Sequence, residues 1–213
     1  MRDSGESTLP FSRIRQECRQ PTTTITMSDG TEICFRPLRA DDGDRLGRYL
    51  ETLSSETRAK WRPHDLTTET AHSLCASLES DVALRLVATT DVEGEGEVVA
   101  YFILFCDISE ADQTRFQNYG LEISPKTTCQ FAPSVADGYQ NCGLGSRLMP
   151  HSVALATHLD YRQMILLGGV YMSNRQAVRF YRKHGFRVAG TFDPGQNKER
   201  RYDMIHSLME GIE

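Results

Sequence analysis

The sequence lacks the long apolar segments that mark membrane-spanning and secreted proteins. Its longest hydrophobic run, residues 98–106, has nine residues, whereas a membrane-spanning helix needs about 20. The N-terminal residues contain no apolar stretch of the kind found in a secretory signal peptide. With 213 residues, the chain is long enough for one well-filled domain. We therefore expect a cytoplasmic protein with no membrane partner.

Excess positive charge is also absent. The formal net charge is −5, which argues against general binding to nucleic acid. The charge is nevertheless uneven, because residues 140–187 carry seven Lys or Arg side chains and one Asp. This segment has a local charge of +6, which leaves −11 for the rest of the chain. We expect the segment to attract a polyanionic ligand.

Metal-binding spacings are missing too. The six cysteines include no C-x-x-C pair, and the six histidines include no H-x-x-x-H pair. We expect reduced, mostly buried thiols and no metal site. Cys142 stands apart by its position, since a thiol in an anion-binding turn can be reactive. The alternative is that Cys142 is simply a small residue in a tight turn.

What the sequence does contain is a glycine-rich turn. Residues 135–146 read V-A-D-G-Y-Q-N-C-G-L-G-S, between a strand predicted at 127–135 and a helix predicted at 144–159. Gly143 and Gly145 would let the backbone approach a ligand closely, and we expect unusual φ angles at both. Successive N–H groups at a helix N-terminus attract a pyrophosphate.

We expect seven consecutive residues of this turn to direct their N–H groups at the ligand, with Ser146 adding a hydroxyl. No G-K-[ST] sequence follows the glycines, which disfavours a nucleotide-binding P-loop. The seven residues are Gln140, Asn141, Cys142, Gly143, Leu144, Gly145 and Ser146.

A second motif follows about thirty residues later, where residues 174–186 read N-R-Q-A-V-R-F-Y-R-K-H-G-F. Asn174, Ala177 and Tyr181 are spaced so that they share one face of a helix. Phe180 is expected to point elsewhere, into the core. The shared face would offer an amide, a small residue and a phenol to a ligand held by the glycine turn.

The remaining pattern predicts further short strands and helices and a mobile tail at residues 1–22, ahead of one domain at 23–213. A long polar insertion, residues 107–126, is expected to be functional or to contain a helix of its own. The other predicted strands are residues 23–27 and 32–38 around a D-G turn, 83–90 and 97–106 around a turn at 91–96, 163–171, 186–192 and 201–209, and the helices are 41–54 and 67–79.

The two motifs, in this order, resemble the GNAT superfamily of acyl-CoA-dependent N-acetyltransferases. The stretches I-C-F-R-P-L-R-A-D-D and L-S-S-E-T-R also resemble the start of many members, so the resemblance spans roughly residues 24–208. It implies an α/β (α+β) fold with a mixed, mostly antiparallel sheet, central splayed parallel strands and helices on both faces. It further implies acetyl-CoA as cosubstrate, an amine acceptor and a possible homodimer.

The resemblance also implies roles for individual residues. The backbone of Val135 would pair with the pantetheine arm of the carrier, Asn174 would bind an amide of that arm, and Ala177 would leave space for it. Tyr181 would act as a general acid that protonates the departing thiolate. A non-catalytic acyl-CoA-binding sensor or interaction module on the same fold is the alternative function.

The catalytic base and the acceptor site are left open by the sequence. Some family members carry a glutamate on the strand before the turn, but Cys129, Gln130, Phe131 and Ser134 occupy that strand here. Glu122, Asp107 and a relay of water molecules are the alternatives for the base. The residues expected to form walls of the acceptor site are Arg58, Trp61, Arg62, His64, Phe116 and Tyr119.

Overall fold

The computed structural model describes residues 22–78, 82–90, 96–195 and 198–208. The predicted tail, apart from Thr22, and most of the predicted turn at 91–96 lie outside these residues. The ends predicted at Glu79 and Met209 lie outside them as well. No helix in the described ranges combines the length and the apolar character needed to cross a membrane.

One mixed sheet of nine strands runs through the described residues, in the order β1-β2-β3-β4-β5-β6-β9-β7, and β8 pairs with β9. All pairings are antiparallel except that between β5 and β6. This confirms the predicted mixed sheet. The strands are β1 Thr23–Thr26, β2 Glu32–Pro37, β3 Ala83–Thr89, β4 Val98–Phe105, β5 Thr128–Val135, β6 Gln163–Leu166, β7 Val170–Tyr171, β8 Arg187–Phe192 and β9 Arg201–Ser207.

Six α-helices in the described residues cover both faces of this sheet. β4 is apolar throughout and buried, and its alternate residues belong to two different cores. Phe102 and Leu104 pack with α5 and α6 on one face, while Tyr101 and Ile103 pack with α1 and α3 on the other. The helices are α1 Gly43–Thr52, α2 Ser55–Lys60, α3 Thr68–Ala76, α4 Glu110–Asn118, α5 Leu144–His158 and α6 Arg175–Lys183.

The strand predicted at residues 163–171 is broken in two. β6 ends at Leu166 and β7 begins at Val170. Gly168 and Gly169 between them have left-handed φ angles of 64° and 70°. Because this region of φ is incompatible with an extended strand, the two glycines end the pairing of β6 and send the chain away from β5.

The insertion at 107–126 contains α4 and packs away from the cleft described below, contrary to the role expected for its aromatic residues. Phe116 is 1% exposed and lies in a core with Ile165 and Ile205. The Tyr119 hydroxyl lies 3.1 Å from both the Thr191 carbonyl oxygen and Asp203 Oδ2. Both aromatic residues are therefore structural.

A buried ion pair joins α4 to β9. The Arg115 guanidinium donates to Asp203 through Nε and Nη2, at 2.6 and 3.0 Å, and stacks over Phe192 at 4.1 Å. Asp203 is 1% exposed. The pair fixes the whole insertion against the end of the sheet that is formed by β8 and β9.

We predict that Asp203→Asn lowers the free energy of unfolding by about 2 kcal/mol, because it removes the more deeply buried of the two carboxylates that pair with Arg115 and leaves only Asp112, at 2.6 Å. Urea denaturation measures the loss. Glu122→Gln is the matched control, since it removes an exposed carboxylate from the same insertion, and it should stay within about 0.5 kcal/mol of the wild type. Equal losses in the two variants would contradict this assignment.

Candidate functional site

The two parallel strands separate after Phe131. β5 and β6 are paired only from Thr128–Gln163 to Phe131–Leu166, and the last contact is the Leu167 N–H donating to the Phe131 carbonyl at 3.1 Å. Residues 132–135 of β5 remain paired with β4 on their other side. Within the described residues, the second edge of this half of β5 has no strand partner.

The antiparallel register with β4 shows which backbone groups lie on this free edge. The Ala136 N–H donates to the Val99 carbonyl at 2.9 Å, so every second residue of β5 bonds to β4. The intervening residues, Pro133 and Val135, direct their backbone groups to the free edge. Proline has no N–H, and the Val135 carbonyl accepts from Gln140 Nε2 at 3.1 Å. The Val135 N–H and the Pro133 carbonyl are therefore left for a ligand.

A cleft of about 750 Å³ fills the space between the separated strands. The free half of β5, the glycine turn, α6, the loop after β6 and α2 form its walls. Cys142 and Leu144 do not line it. The predicted site residues that do line it are Val135, Gln140, Asn141, Gly143, Gly145, Ser146, Asn174, Ala177 and Tyr181.

The two glycines of the turn serve different purposes. Gly143 has a left-handed φ of 88° and precedes α5, and a Cβ there would meet no atom within 4 Å. Glycine is therefore favoured at position 143 by the backbone conformation and not by lack of space for a side chain. Gly145 lies inside α5 without a positive φ, so the unusual φ expected there is wrong. A Cβ on Gly145 would come within 3.3 Å of Phe180, which lines the cleft.

Three N–H groups at the start of α5 have no protein acceptor in the described structure. The first helical bond is donated by Arg147 to the Gly143 carbonyl at 3.1 Å, so the N–H groups of Leu144, Gly145 and Ser146 are left over. The Leu144 side chain is fully buried and holds the helix start in the core. Partial positive charge therefore collects at the mouth of the turn.

Polar side chains of α6 surround the same helix start. Ser146 Oγ lies 3.1 Å from His184 Nε2 and 3.4 Å from Lys183 Nζ. Burial, together with the nearby positive charge of Lys183, lowers the pKa of His184. Cys142 is exposed, and its thiol donates to the Tyr139 carbonyl at 2.8 Å.

Asn174, Ala177 and Tyr181, predicted to share one face of α6, all line the cleft, and Asn174 is also the N-cap of that helix. The Asn174 side-chain oxygen accepts from the Ala177 N–H at 3.1 Å, which leaves its NH₂ group for other partners. Tyr181 is 8% exposed and packs between Phe180 and Phe186. No group in the described ranges hydrogen-bonds to its hydroxyl. Burial raises the pKa of Tyr181, so the phenol is protonated at neutral pH.

A carboxylate that sequence analysis missed ties two walls of the cleft together. Asp137 accepts from the Ser54 N–H and hydroxyl, both at 2.8 Å, and from the Thr57 hydroxyl at 2.6 Å. Burial alone would raise the pKa of Asp137, but the hydrogen bonds from Thr57 and Ser54 outweigh it and hold the pKa below its usual value. The only sequence signal was S-x-x-T, a helix cap that starts α2.

The residues proposed for the base and the acceptor walls are only partly in the cleft. Trp61 and Arg62 line it, whereas Arg58 and His64 do not. Arg58 donates to three backbone carbonyls, at 2.6 to 3.3 Å, and is structural. His64 bonds to the Asp65 carbonyl, and burial lowers its pKa.

The carboxylates of Asp107 and Glu122 are exposed and lie outside the cleft. Nor does the described part of the chain bring together three His, Cys, Asp or Glu residues in an arrangement that could hold a metal ion.

Comparison with known proteins finds a family that this architecture resembles. Residues 86–188, from β3 into β8, match the family model for the acetyltransferase (GNAT) domain. Over these residues, just under half of the chain, the protein is similar to the GNAT superfamily of acetyltransferases. The matched range contains the free edge of β5, the glycine turn and α6, so it covers one complete side of the cleft.

Two curated relatives agree with this assignment. Acetyltransferase PA5475 of Pseudomonas aeruginosa is 23% identical over 143 residues, which cover 65% of this chain and 67% of the relative. The N-acetyltransferase Rv2669 of Mycobacterium tuberculosis, itself uncharacterized, is 39% identical over 74 residues. That match covers 34% of this chain and 46% of the mycobacterial protein, so it spans about half of the relative.

Solved structures show the same GNAT fold. The GNAT domain of S. lividans PAT superposes with a TM-score of 0.64 at 20% identity, covering 87% of this chain and 96% of that domain. AAC(6')-Ib, solved with acetyl-CoA, superposes with a TM-score of 0.60 at 18% identity, covering 82% and 93%. The GNAT fold expected from the sequence is therefore confirmed.

We predict that Gly143→Ala lowers the free energy of unfolding by about 1 kcal/mol, because alanine is strained at a left-handed φ even where space is free. Gly138→Ala is the matched control. Gly138 lies in the same glycine-rich segment, two residues before Gln140, has no positive φ, and offers equally open space to a Cβ. Denaturant unfolding should separate the two variants, and equal stability would refute the conformational role of Gly143.

Proposed function

We propose that the protein transfers an acetyl group from acetyl-CoA to a primary amine, by direct attack in a ternary complex. The match of residues 86–188 to the GNAT acetyltransferase domain supports acetyl transfer in general. The observation that carries the proposal is one cleft with three features: a strand edge without a partner, a positively polarised helix start, and a protonated phenol. Each feature matches a different part of an acyl-CoA.

The pyrophosphate of the carrier would bind at the start of α5. The unpaired N–H groups of Leu144, Gly145 and Ser146 offer donors, and Lys183 adds a positive charge beside Ser146. The acetyl-CoA bound by AAC(6')-Ib, a protein of similar fold, supports this choice of ligand. Gln140, Asn141 and Cys142 would complete the proposed pyrophosphate-binding turn. The Gln140 side chain also donates to the Val135 carbonyl of β5.

The pantetheine arm would lie along the free edge of β5. An extended chain with amide groups can pair with a strand edge through backbone hydrogen bonds. The Val135 N–H and the Pro133 carbonyl supply one donor and one acceptor. Across the cleft, the NH₂ group of Asn174 would bind an amide of the arm, and Ala177 leaves room for it. This geometry directs the thioester toward Tyr181.

The chemistry follows from these positions. The lone pair of a neutral amine attacks the thioester carbon, a C–N bond forms, and the C–S bond breaks. The departing thiolate takes its proton from the Tyr181 hydroxyl, and the phenolate recovers one from solvent. The nitrogen loses one proton after the attack. The products are an N-acetylated amine and free CoA.

Water removes the proton that the acceptor ammonium must lose before the attack. Of the two carboxylates that line the cleft, Glu56 is paired with Lys60, and Asp137 is occupied by Ser54 and Thr57. Ser134 Oγ, which accepts from the Tyr49 hydroxyl at 2.9 Å, offers a polar group on the wall beside which water can be held. The cytoplasmic location and the homodimer stay predictions.

We predict that the purified protein binds acetyl-CoA in calorimetry and releases free thiol only when an amine is added. Tyr181→Phe should lower turnover at least tenfold with little change in the dissociation constant for acetyl-CoA. Because burial raises the pKa of Tyr181, the phenol stays protonated in mildly alkaline buffer. The ratio of wild-type to variant rates should therefore be similar near pH 7 and near pH 9.

The control for this test is Tyr161→Phe. Tyr161 is buried, and its hydroxyl also has no partner in the described structure, but it lies outside the cleft. Its substitution should leave turnover unchanged. Normal turnover in Tyr181→Phe would remove Tyr181 from the mechanism. Tight binding without amine-dependent thiol release would favour the alternative sensor function, and no binding of any CoA species would end the proposal.

A further inference from the structure

We infer that the acceptor is an amine that also carries a carboxylate, and that Arg201 binds this carboxylate. The inference rests on the proposed function and specifies its substrate class. It comes from the charges at the end of the cleft that lies away from the glycine turn. There, α2 and Trp61 face the loop of residues 167–171 and the start of β9.

Arg201 is held rigidly in this part of the cleft. Nη1 donates to the Gly168 carbonyl at 2.8 Å, and Nη2 donates to the Tyr171 hydroxyl at 2.9 Å. The guanidinium lies over the Tyr171 ring, 4.4 Å from its centre. The Tyr171 hydroxyl in turn donates to the Ala59 carbonyl of α2 at 3.4 Å. The guanidinium is thus fixed between both walls before any ligand binds.

No carboxylate in the described ranges forms a salt bridge with Arg201. Glu199 is close in sequence, but its carboxylate accepts from the Ser173 N–H and hydroxyl at 2.7 and 2.8 Å. The Arg201 Nε is buried and unpaired. A guanidinium has five N–H donors, and the two bonds above use only two of them. Nε is enclosed by protein, so the second N–H of each Nη group is available to a ligand, and the charge of Arg201 is offset only at a distance, by Glu199.

The two carboxylates that line the cleft already have charged or hydrogen-bonding partners that compete with a ligand. Glu56 faces Lys60 on the same helix, and Asp137 accepts three hydrogen bonds from Ser54 and Thr57. A diamine would need a free carboxylate to hold its second ammonium group. Arg62 on the other wall is paired with Asp65 at 3.7 Å, so Arg201 is the positive group of this end without a carboxylate in salt-bridge contact within the described residues. The acceptor end consequently favours an anionic group beside the reacting amine.

A fixed guanidinium suits a carboxylate because its planar donors can bind both oxygens at once. Pre-organisation by Gly168 and Tyr171 reduces the entropy lost on binding. A substrate whose carboxylate is held by Arg201 would present its amine toward the interior of the cleft. The simplest compounds of this class are free amino acids, and the corresponding amides differ from them only in the charge that Arg201 would recognise.

The test compares amino acids with their amides as acceptors, in pairs with small, aromatic, acidic and basic side chains, plus a simple diamine. For the preferred side chain, we expect kcat/KM to be at least tenfold higher for the acid than for the amide. The amine of an amide is less basic, so more of it is neutral, and this chemical bias opposes the expected result.

Arg201→Gln should raise KM for the acid at least tenfold, with a much smaller change in kcat, and should leave the amide's parameters near those of the wild type. Activity on the amide also shows that the variant is folded. The KM of Arg201→Lys for the acid should lie between those of the wild type and Arg201→Gln, because lysine keeps the charge but loses the bidentate geometry. Arg179→Gln, which removes an exposed positive charge outside the cleft, is the control and should retain the preference for the acid.

Equal rates for acids and amides, or a preference for the diamine, would overturn the inference and leave acetyl transfer intact. If no amine gives thiol release, the proposed function has failed instead. Calorimetric binding of the acid and amide to the wild type and to Arg201→Gln then decides the inference by itself. Acid-selective binding that is lost in the variant supports the carboxylate site, and any other result refutes it.

Discussion

The candidate site depends on the loss of one strand pairing. β5 and β6 run together for four residues and then separate, because Gly168 and Gly169 adopt left-handed φ angles that end β6. In a continuous sheet, the Val135 N–H would be satisfied by a neighbouring strand. Here it faces a cleft, and the same separation exposes the start of α5. The break in the sheet thus leaves unpaired backbone groups along β5, to which an extended ligand can bind.

Rigid contacts at both ends keep this cleft open. Asp137 joins α2 to the segment before the glycine turn, so that the acceptor wall and the proposed pyrophosphate site share one hydrogen-bond network. Arg115 and Asp203 hold the long insertion against β8 and β9, away from the cleft. The proposed acceptor end is therefore shaped by α2 and by Arg201, whose charge is the basis for the anionic partner that we infer.

Local motifs could be read from the sequence, whereas contacts between distant segments could not. The glycine turn and the face of Asn174, Ala177 and Tyr181 depend on residues close together in the chain, and both line the cleft. α2, with six residues, was too short to show a period. The positions of Arg201 and Asp137 depend on pairing between strands and helices about 30 to 80 residues apart. The helix expected within the insertion is confirmed as α4, whereas the acceptor-wall role of Phe116 and Tyr119 is wrong, because both pack against β8 and β9.

Hydrogen exchange resolved to single amides is the most direct test of the free edge and the helix start. We predict that saturating CoA slows exchange at least tenfold at Val135 and at Leu144, Gly145 and Ser146, while amides of α4 are unchanged. Such a pattern would mean that the groups without protein partners are the groups that hold the ligand. Binding of CoA without added protection at these four amides would contradict the account.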